Sequence, residues 1–231
     1  MWVGALMRHH QKLDIPPQVF VTATGTEVGK TYVSGLLVKM LRYQGENAGY
    51  FKPALSDAYY EEGRLIPGDA AHVCSVARLD VEPCSLVSHI YTTPVAPHLA
   101  AQREDAPPIS LEKIHSDFDA LSSQFDRLIV EGCGGIVCPL SVNPHIMLVD
   151  VMKMLNLPLI IVTDSGLGSI NACVLTVEYA RSQGLDIFGI IMNKFDPQNF
   201  LHVDNARQIE KLSHTRILAR VGDGDVLLKT L

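Results

Sequence analysis

Four short stretches carry side chains suited to phosphate and metal-assisted chemistry. The first, VFVTATGTEVGKTYVSG, contains Gly29-Lys30-Thr31 where an apolar run gives way to a helical pattern. A helix start offers unpaired N–H groups and about half a positive charge, which suits a phosphate. There Lys30 can reach the β- and γ-phosphates of a nucleotide, and the Thr31 hydroxyl can ligate Mg²⁺. The strict phosphate-loop pattern asks for glycine five residues before Gly29, yet Thr24 stands there. Thr26 and Glu27 are unusual in such a loop. A carboxylate repels phosphate unless it turns away or meets a cation or an amine. Two readings stay open: a loop that also serves an amine-bearing ligand, or a Glu27 that faces solvent.

The other three stretches supply charges of both signs. Glu131 closes the apolar run DRLIVE and is followed by Gly132, Gly134 and Gly135. A carboxylate at the carboxyl end of a strand lies at the mouth of the sheet, where open α/β folds bind ligands. Asp69, in PGDAA, starts a helical pattern. A cap or first-turn acid is its ordinary role, and Mg²⁺ ligation is a further one. Lys52, in GYFKPAL, ends a strand before Pro53 and faces the same mouth as Lys30. Together these make two lysines to neutralise phosphate and two carboxylates to hold Mg²⁺.

The elements that must position these groups alternate along the chain. Val19 to Ala23 reads as a strand. Lys30 to Tyr43 places Val33, Leu36, Leu37, Met40 and Leu41 on one helical face, and Gly45 closes that helix. Ala48 to Ala54 is a second strand, stopped near Pro53. Helices are predicted over Asp69–Leu79, Pro94–Gln102 and from Ser110, as N-cap, to about Gln124. Strands over 126–131, 157–164, 185–194 and 215–221 alternate with helices over 144–156, 169–184 and 199–213. Strands apolar on both faces and separated by helices predict a parallel sheet with helices on both faces, in a single α/β domain of the P-loop NTPase type. That domain is expected over residues 18–231, with a flexible N-terminal extension over 1–17.

Bulk composition bounds the function. The chain has 231 residues, of which 47% are hydrophobic and 19% charged, enough for a sizeable core. A net charge of −6 gives no basic surface for nucleic acid. No apolar run reaches the length of a membrane span, and the N-terminus lacks the order of a signal peptide. Five dispersed cysteines without a CxxC pair read as reduced thiols, hence a cytoplasmic protein.

FVTATGTEVGKT, GYFKPALS, GDAAHV, YTTPVAPHLAAQRE, IVEGCGGIVCPL and GLGSINAC, taken in this order, resemble the dethiobiotin synthetase family, with a weaker match in GIIMN. The family's loop has five residues between its first glycine and Gly-Lys-Thr, so Thr24 is no obstacle. The departure falls at Ala23, where that glycine stands, and at Gly25, where an acid is common; Gly25 is expected to supply the unusual backbone angle instead. Cys133, Cys138 and Asp57 depart as well, Asp57 replacing a glycine. The resemblance implies an ATP- and Mg²⁺-dependent closure of the diamine 7,8-diaminopelargonate with CO₂ into dethiobiotin, a biotin-biosynthetic ligase reaction. It assigns Lys30, Lys52 and Thr26 to catalysis, and Thr31, Asp69 and Glu131 to Mg²⁺. Gly25, Thr26, Glu27, Val28, Gly29, Lys30, Thr31 and Asn193 would bind nucleotide. Glu27, Lys52, Ser56, Gly134 and Gly135 would bind substrate. Gly168, Ser169, Ile170 and Asn171 would grip the substrate carboxylate from a neighbouring subunit, implying a homodimer with shared sites.

Two competitors remain. Asn193-Lys194-Phe195-Asp196 matches the guanine-reading pattern of GTPases, which predicts a nucleotide switch protein. Partition-type ATPases carry a lysine early in the loop, where Gly25 stands here.

Overall fold

A computed structural model describes residues 13–230 of the chain. Its strands are β1 (Gln18–Ala23), β2 (Ala48–Leu55), β3 (Tyr59–Glu61), β4 (Arg64–Ile66), β5 (Val87–Ile90), β6 (Arg127–Glu131), β7 (Pro139–Ser141), β8 (Ile146–Met147), β9 (Leu159–Asp164), β10 (Ile187–Asn193), β11 (Ile217–Arg220) and β12 (Lys229–Thr230). Its α-helices are α1 (Lys30–Tyr43), α2 (Gly68–Ala77), α3 (Pro97–Arg103), α4 (Leu111–Ser122), α5 (Leu148–Leu155), α6 (Ser169–Ser182) and α7 (Phe200–Ser213).

The main sheet runs β12-β11-β10-β9-β1-β6-β2-β5, with every neighbouring pair parallel except β11–β12. The central strands are fully buried runs such as Val19-Phe20-Val21 and Ile160-Ile161-Val162, as both-face coverage demands. Right-handed crossovers put α1 and α2 on one face and α4, α5, α6 and α7 on the other, and the packed pairs α1–α2, α4–α5 and α6–α7 follow that division. Cys173, Val177, Ala206 and Ile209 from α6 and α7 pack on Ile161, Ile190 and Met192. The expected single α/β domain is therefore present.

Local boundaries follow from identifiable residues. The α1 helix starts at Lys30 as predicted, behind Gly29 at φ 90°, and no side chain caps it. Ser110 caps α4: its Oγ accepts the Lys113 N–H at 3.1 Å. Pro53 does not stop β2, which runs on to Leu55. Its missing donor falls beyond the last β2–β6 pair, Phe51 with Val130, so no bond to β6 is lost. The helix predicted from Pro144 begins only at Leu148, because Ile146 and Met147 pair antiparallel with β7 and the Asp150 carboxylate accepts the Met147 N–H at 2.8 Å.

Of the expected extension over 1–17, residues 1–12 lie outside the described residues. Ile15 is buried, its carbonyl accepts from Arg127, and the Pro17 carbonyl accepts the Leu128 N–H.

Candidate active site

The loop between β1 and α1, the carboxyl ends of β2 and β6, and the start of α2 meet around one cleft of about 730 Å³. Lys52 is its electrostatic centre. On β2, Tyr50 and Lys52 are two residues apart and share a face, and both reach Glu131 at the end of β6. Lys52 Nζ lies 2.7 Å from Glu131 Oε1 and 2.7 Å from Asp69 Oδ2. Tyr50 donates to Glu131 Oε2 at 3.0 Å, and Thr31 Oγ1 donates to Glu131 Oε1 at 2.8 Å. Glu131 is 0% exposed and Lys52 3%. A buried carboxylate is tolerated only with such partners.

Electrostatics separate the two lysines. Burial opposes charge on Lys52, but Glu131 and Asp69 outweigh it and hold the ammonium well above the ordinary lysine value. Burial lowers the Lys30 pKa, and the nearby charge of Lys52 lowers it further. Lys30 Nζ donates to the Gly25 carbonyl at 3.3 Å. Burial also opposes charge on Asp69, yet Lys52 prevails, with help from Thr31, and keeps its carboxyl below the usual carboxylate value. Thr31, Asp69 and Glu131 thus present one hydroxyl and two carboxylates in a continuous oxygen network. These are hard donors of the kind Mg²⁺ takes beside phosphate oxygens, and they fit that ion.

The backbone of the phosphate loop carries its strain at positions other than the expected one. Positive φ falls at Glu27 (61°) and Gly29 (90°), not at Gly25, so the expectation for Gly25 is corrected. An added Cβ on Gly29 would lie 2.1 Å from Asn193 Nδ2. That close approach lets Asn193 donate to the Val28 carbonyl at 2.9 Å, while Lys194 Nζ donates to the Glu27 carbonyl at 3.2 Å. Both residues therefore hold the loop from behind.

Thr26, Glu27, Gly29, Lys30, Thr31, Lys52, Ser56, Asp69, Glu131, Gly134 and Gly135 all line the cleft. The Gly25 carbonyl accepts from Lys30 within the loop, and the Val28 carbonyl accepts from Asn193, which packs against the loop from β10. Gly168, Ser169, Ile170 and Asn171 are not part of the cleft wall. They open α6, where Gly168 takes φ 89° and the buried Ser169 hydroxyl has no hydrogen-bond partner among the described residues. Sequence reasoning missed the apolar wall of Pro94, Val95, Ala96 and Pro97, along with Val137 and Pro139. It also missed Tyr50, whose spacing of two from Lys52 in GYFKPALS was the available signal.

A family model described as an AAA domain matches residues 17–227. The ATP-dependent dethiobiotin synthetase BioD of Clostridium perfringens is 43% identical over 204 residues, covering 88% of this chain and 89% of that protein. The protein of the same description from Clostridium botulinum is 43% identical over 197 residues, 85% of this chain and 86% of its own length. Among solved structures, a ParA family ATPase from Chlorobium tepidum superimposes with a TM-score of 0.55 at 16% identity, over 91% of this chain and 86% of that one. The MinC:MinD cell division complex of Aquifex aeolicus gives 0.54 at 14% identity, over 89% and 81%. These two show the fold alone, a mostly parallel sheet with helices on both faces.

Proposed function

The chain belongs to the ATP-dependent dethiobiotin synthetase family, and from that premise we propose how its cleft performs the reaction: ATP-driven closure of 7,8-diaminopelargonate with CO₂ into the ureido ring of dethiobiotin. The observation that carries the assignment of residues is Lys52, held between Asp69 and Glu131 at 2.7 Å each and opening on the same cleft as Lys30.

One amine of the substrate adds to CO₂ and loses a proton, giving a carbamate. Its anionic oxygen attacks the γ-phosphorus of ATP and ADP departs, leaving a carbamic–phosphoric anhydride. The second amine attacks the carbamate carbon, the C–O bond to phosphate breaks, and the five-membered ring closes. Such chemistry is mostly positioning and charge stabilisation. The uncapped N-terminus of α1 and the Lys30 ammonium bind the phosphates and spread the charge on the transferred group. Lys52 binds the carbamate and steadies the charge that develops on it. Thr26, Glu27 and Ser56 line the amine site, where the Glu27 carboxylate favours an ammonium or a polarised amine. Gly134 and Gly135 allow close backbone approach. Thr31, Asp69 and Glu131 would hold Mg²⁺, which supplies neutralisation of phosphate charge when bound.

The wall of the site is completed from outside in this proposal. The α6 start, Gly168 to Asn171, turns the positive end of a helix toward the substrate carboxylate of a neighbouring subunit, with the Ser169 N–H already donating to the Gly166 carbonyl at 3.3 Å. Its flank is apolar and open, with Leu167 93% and Leu175 61% exposed, which supports a homodimer with shared sites. All five cysteines are free thiols, which supports a cytoplasmic location; no helix among the described residues is long and apolar enough to cross a membrane.

The alternative of a GTP-dependent switch is not favoured. Asn193 and Lys194 are bound to the loop backbone, and Asp196 Oδ1 accepts the Gln198 N–H at 2.8 Å to shape a local turn. Phosphate release in Mg²⁺-ATP and bicarbonate, measured with and without the diamine, tests the proposal. Diamine-dependent release is expected with ATP above GTP. Release that ignores the diamine sinks it.

A further inference from the structure

The segment joining Glu131 to β7 carries two cysteines that the reaction does not use. Cys133 Sγ and Cys138 Sγ lie 4.0 Å apart. Both residues are buried from bulk solvent except where they line the active-site cleft. The chain between them doubles back through Gly134 at φ 60°, and an added Cβ there would stand 3.4 Å from Cys138 Sγ. At Gly135 an added Cβ would stand 3.5 Å from the Gly25 Cα of the phosphate loop. A turn built on two glycines therefore brings the two sulfurs into contact and rests against the loop that takes the nucleotide phosphates. A disulfide needs its sulfurs about 2 Å apart. The remaining approach is about the same distance again, across a segment whose glycines can absorb backbone change.

We propose that Cys133 and Cys138 form a modification site: hydrogen peroxide entering the cleft converts the pair reversibly to an intrachain disulfide, and this arrests turnover. One sulfur attacks a peroxide oxygen, the O–O bond breaks, and hydroxide leaves with that thiol's proton as water, giving a sulfenic acid. The second sulfur attacks the first, the S–S bond forms, the S–O bond breaks, and the hydroxyl leaves with the second proton as a second water. The pair loses two electrons and two hydrogens, and the peroxide becomes two waters. A dithiol reductant reverses the step. Closing the bond shifts the turn of Gly134 and Gly135, which rests against the phosphate loop, and with it the backbone that follows Glu131.

The loss of turnover rests on the synthetase reading, whereas the disulfide does not, so the experiment measures both. The purified full chain is treated with hydrogen peroxide, remaining thiols are alkylated, and proteolytic peptides are mapped by mass with and without dithiothreitol. Diamine-dependent phosphate release is measured on the same samples. The expected result is a peptide spanning Cys133 and Cys138 that is lighter by two hydrogens and unalkylated, with loss of phosphate release that dithiothreitol restores. Cys133→Ala and Cys138→Ser should each keep, after peroxide, the activity they had before it. Added oxygen on either cysteine without a bridge overturns the proposal. So does a bridge that leaves phosphate release untouched, or inactivation that persists in both variants.

Discussion

Lys52 serves stability and chemistry at once. It neutralises a fully buried carboxylate and is also the proposed carbamate-binding group. Lys52→Ala removes the charge that neutralises Glu131 and leaves it only the Tyr50 and Thr31 hydroxyls, which costs about 3 kcal/mol when one partner of a buried pair is lost. Turnover should fall by about 10²–10³-fold, the usual effect of removing a charge-stabilising donor. Thermal unfolding and kcat measured on the same sample check both effects. Gly29 is a second single-residue control. Gly29→Ala forces a side chain into φ 90° and onto Asn193, 2.1 Å away. The backbone strain alone costs about 1–3 kcal/mol, and nucleotide affinity measured by calorimetry should drop sharply while the far-UV spectrum stays native. At this scale the sequence was informative about identity and less so about conformation. Lys30, Thr31, Asp69 and Glu131 were legible because each stands at a strand end or helix start, and Lys52 because Pro53 follows it, although β2 runs on to Leu55. The placement of strain was not. Glu27 at 61° and Asp57 at 76° hold angles that glycine takes more easily, and only the folded backbone shows it. Ala23 turns out to be an ordinary buried end of β1, paired with Val162.

Elements with long apolar periods were read almost to the residue, such as α1 over Lys30–Tyr43. Short ones were missed because their formation is decided by partners. The β5 strand has only Val87-Ser88-His89-Ile90 and forms against β2. The β3–β4 hairpin turns at Glu62 (φ 49°) and Gly63 (φ 78°), angles of a tight I′ turn whose glycine was the only signal. The β5 strand also carries a pH-sensitive joint. His89 Nε2 accepts the N–H of Ser110, the N-cap of α4, at 3.3 Å. Burial lowers the His89 pKa below its ordinary value of 6.5. The unfolded chain therefore binds this proton more readily than the folded one. The stability it contributes is complete above pH 6.5 and is lost as pH falls through the lower folded value. Melting temperatures followed from pH 8 to about pH 5 should decline across that window. His89→Gln should show a shallower decline, and equal slopes would remove this joint from the account.

Across the whole molecule, the parallel order of the sheet brings β1, β2 and β6 side by side so that their carboxyl ends converge. This much followed from alternation of apolar strands and helices. The antiparallel β11–β12 pair did not, since two residues near the chain end give no periodic signal. Assembly is the property that the isolated chain leaves to its surface. Leu167 just before α6, Leu175 within it and Phe200 at the start of α7 are exposed, and sedimentation should show a dimer that Leu167→Glu or Leu175→Glu weakens. Asn171→Ala should raise KM for the diamine with little change in KM for ATP. A strict monomer with full activity would contradict the shared site.

In the proposed reaction this cleft builds a urea carbon from CO₂ at the expense of ATP. Isotope-labelled bicarbonate, incubated with the protein, Mg²⁺-ATP and the diamine, follows that carbon directly. Acid-stable label is expected in a cyclic product, one carbon for each phosphate released, and about 10²–10³-fold more slowly with Lys52→Ala. ATP hydrolysis without transfer of label to an acid-stable product would contradict it.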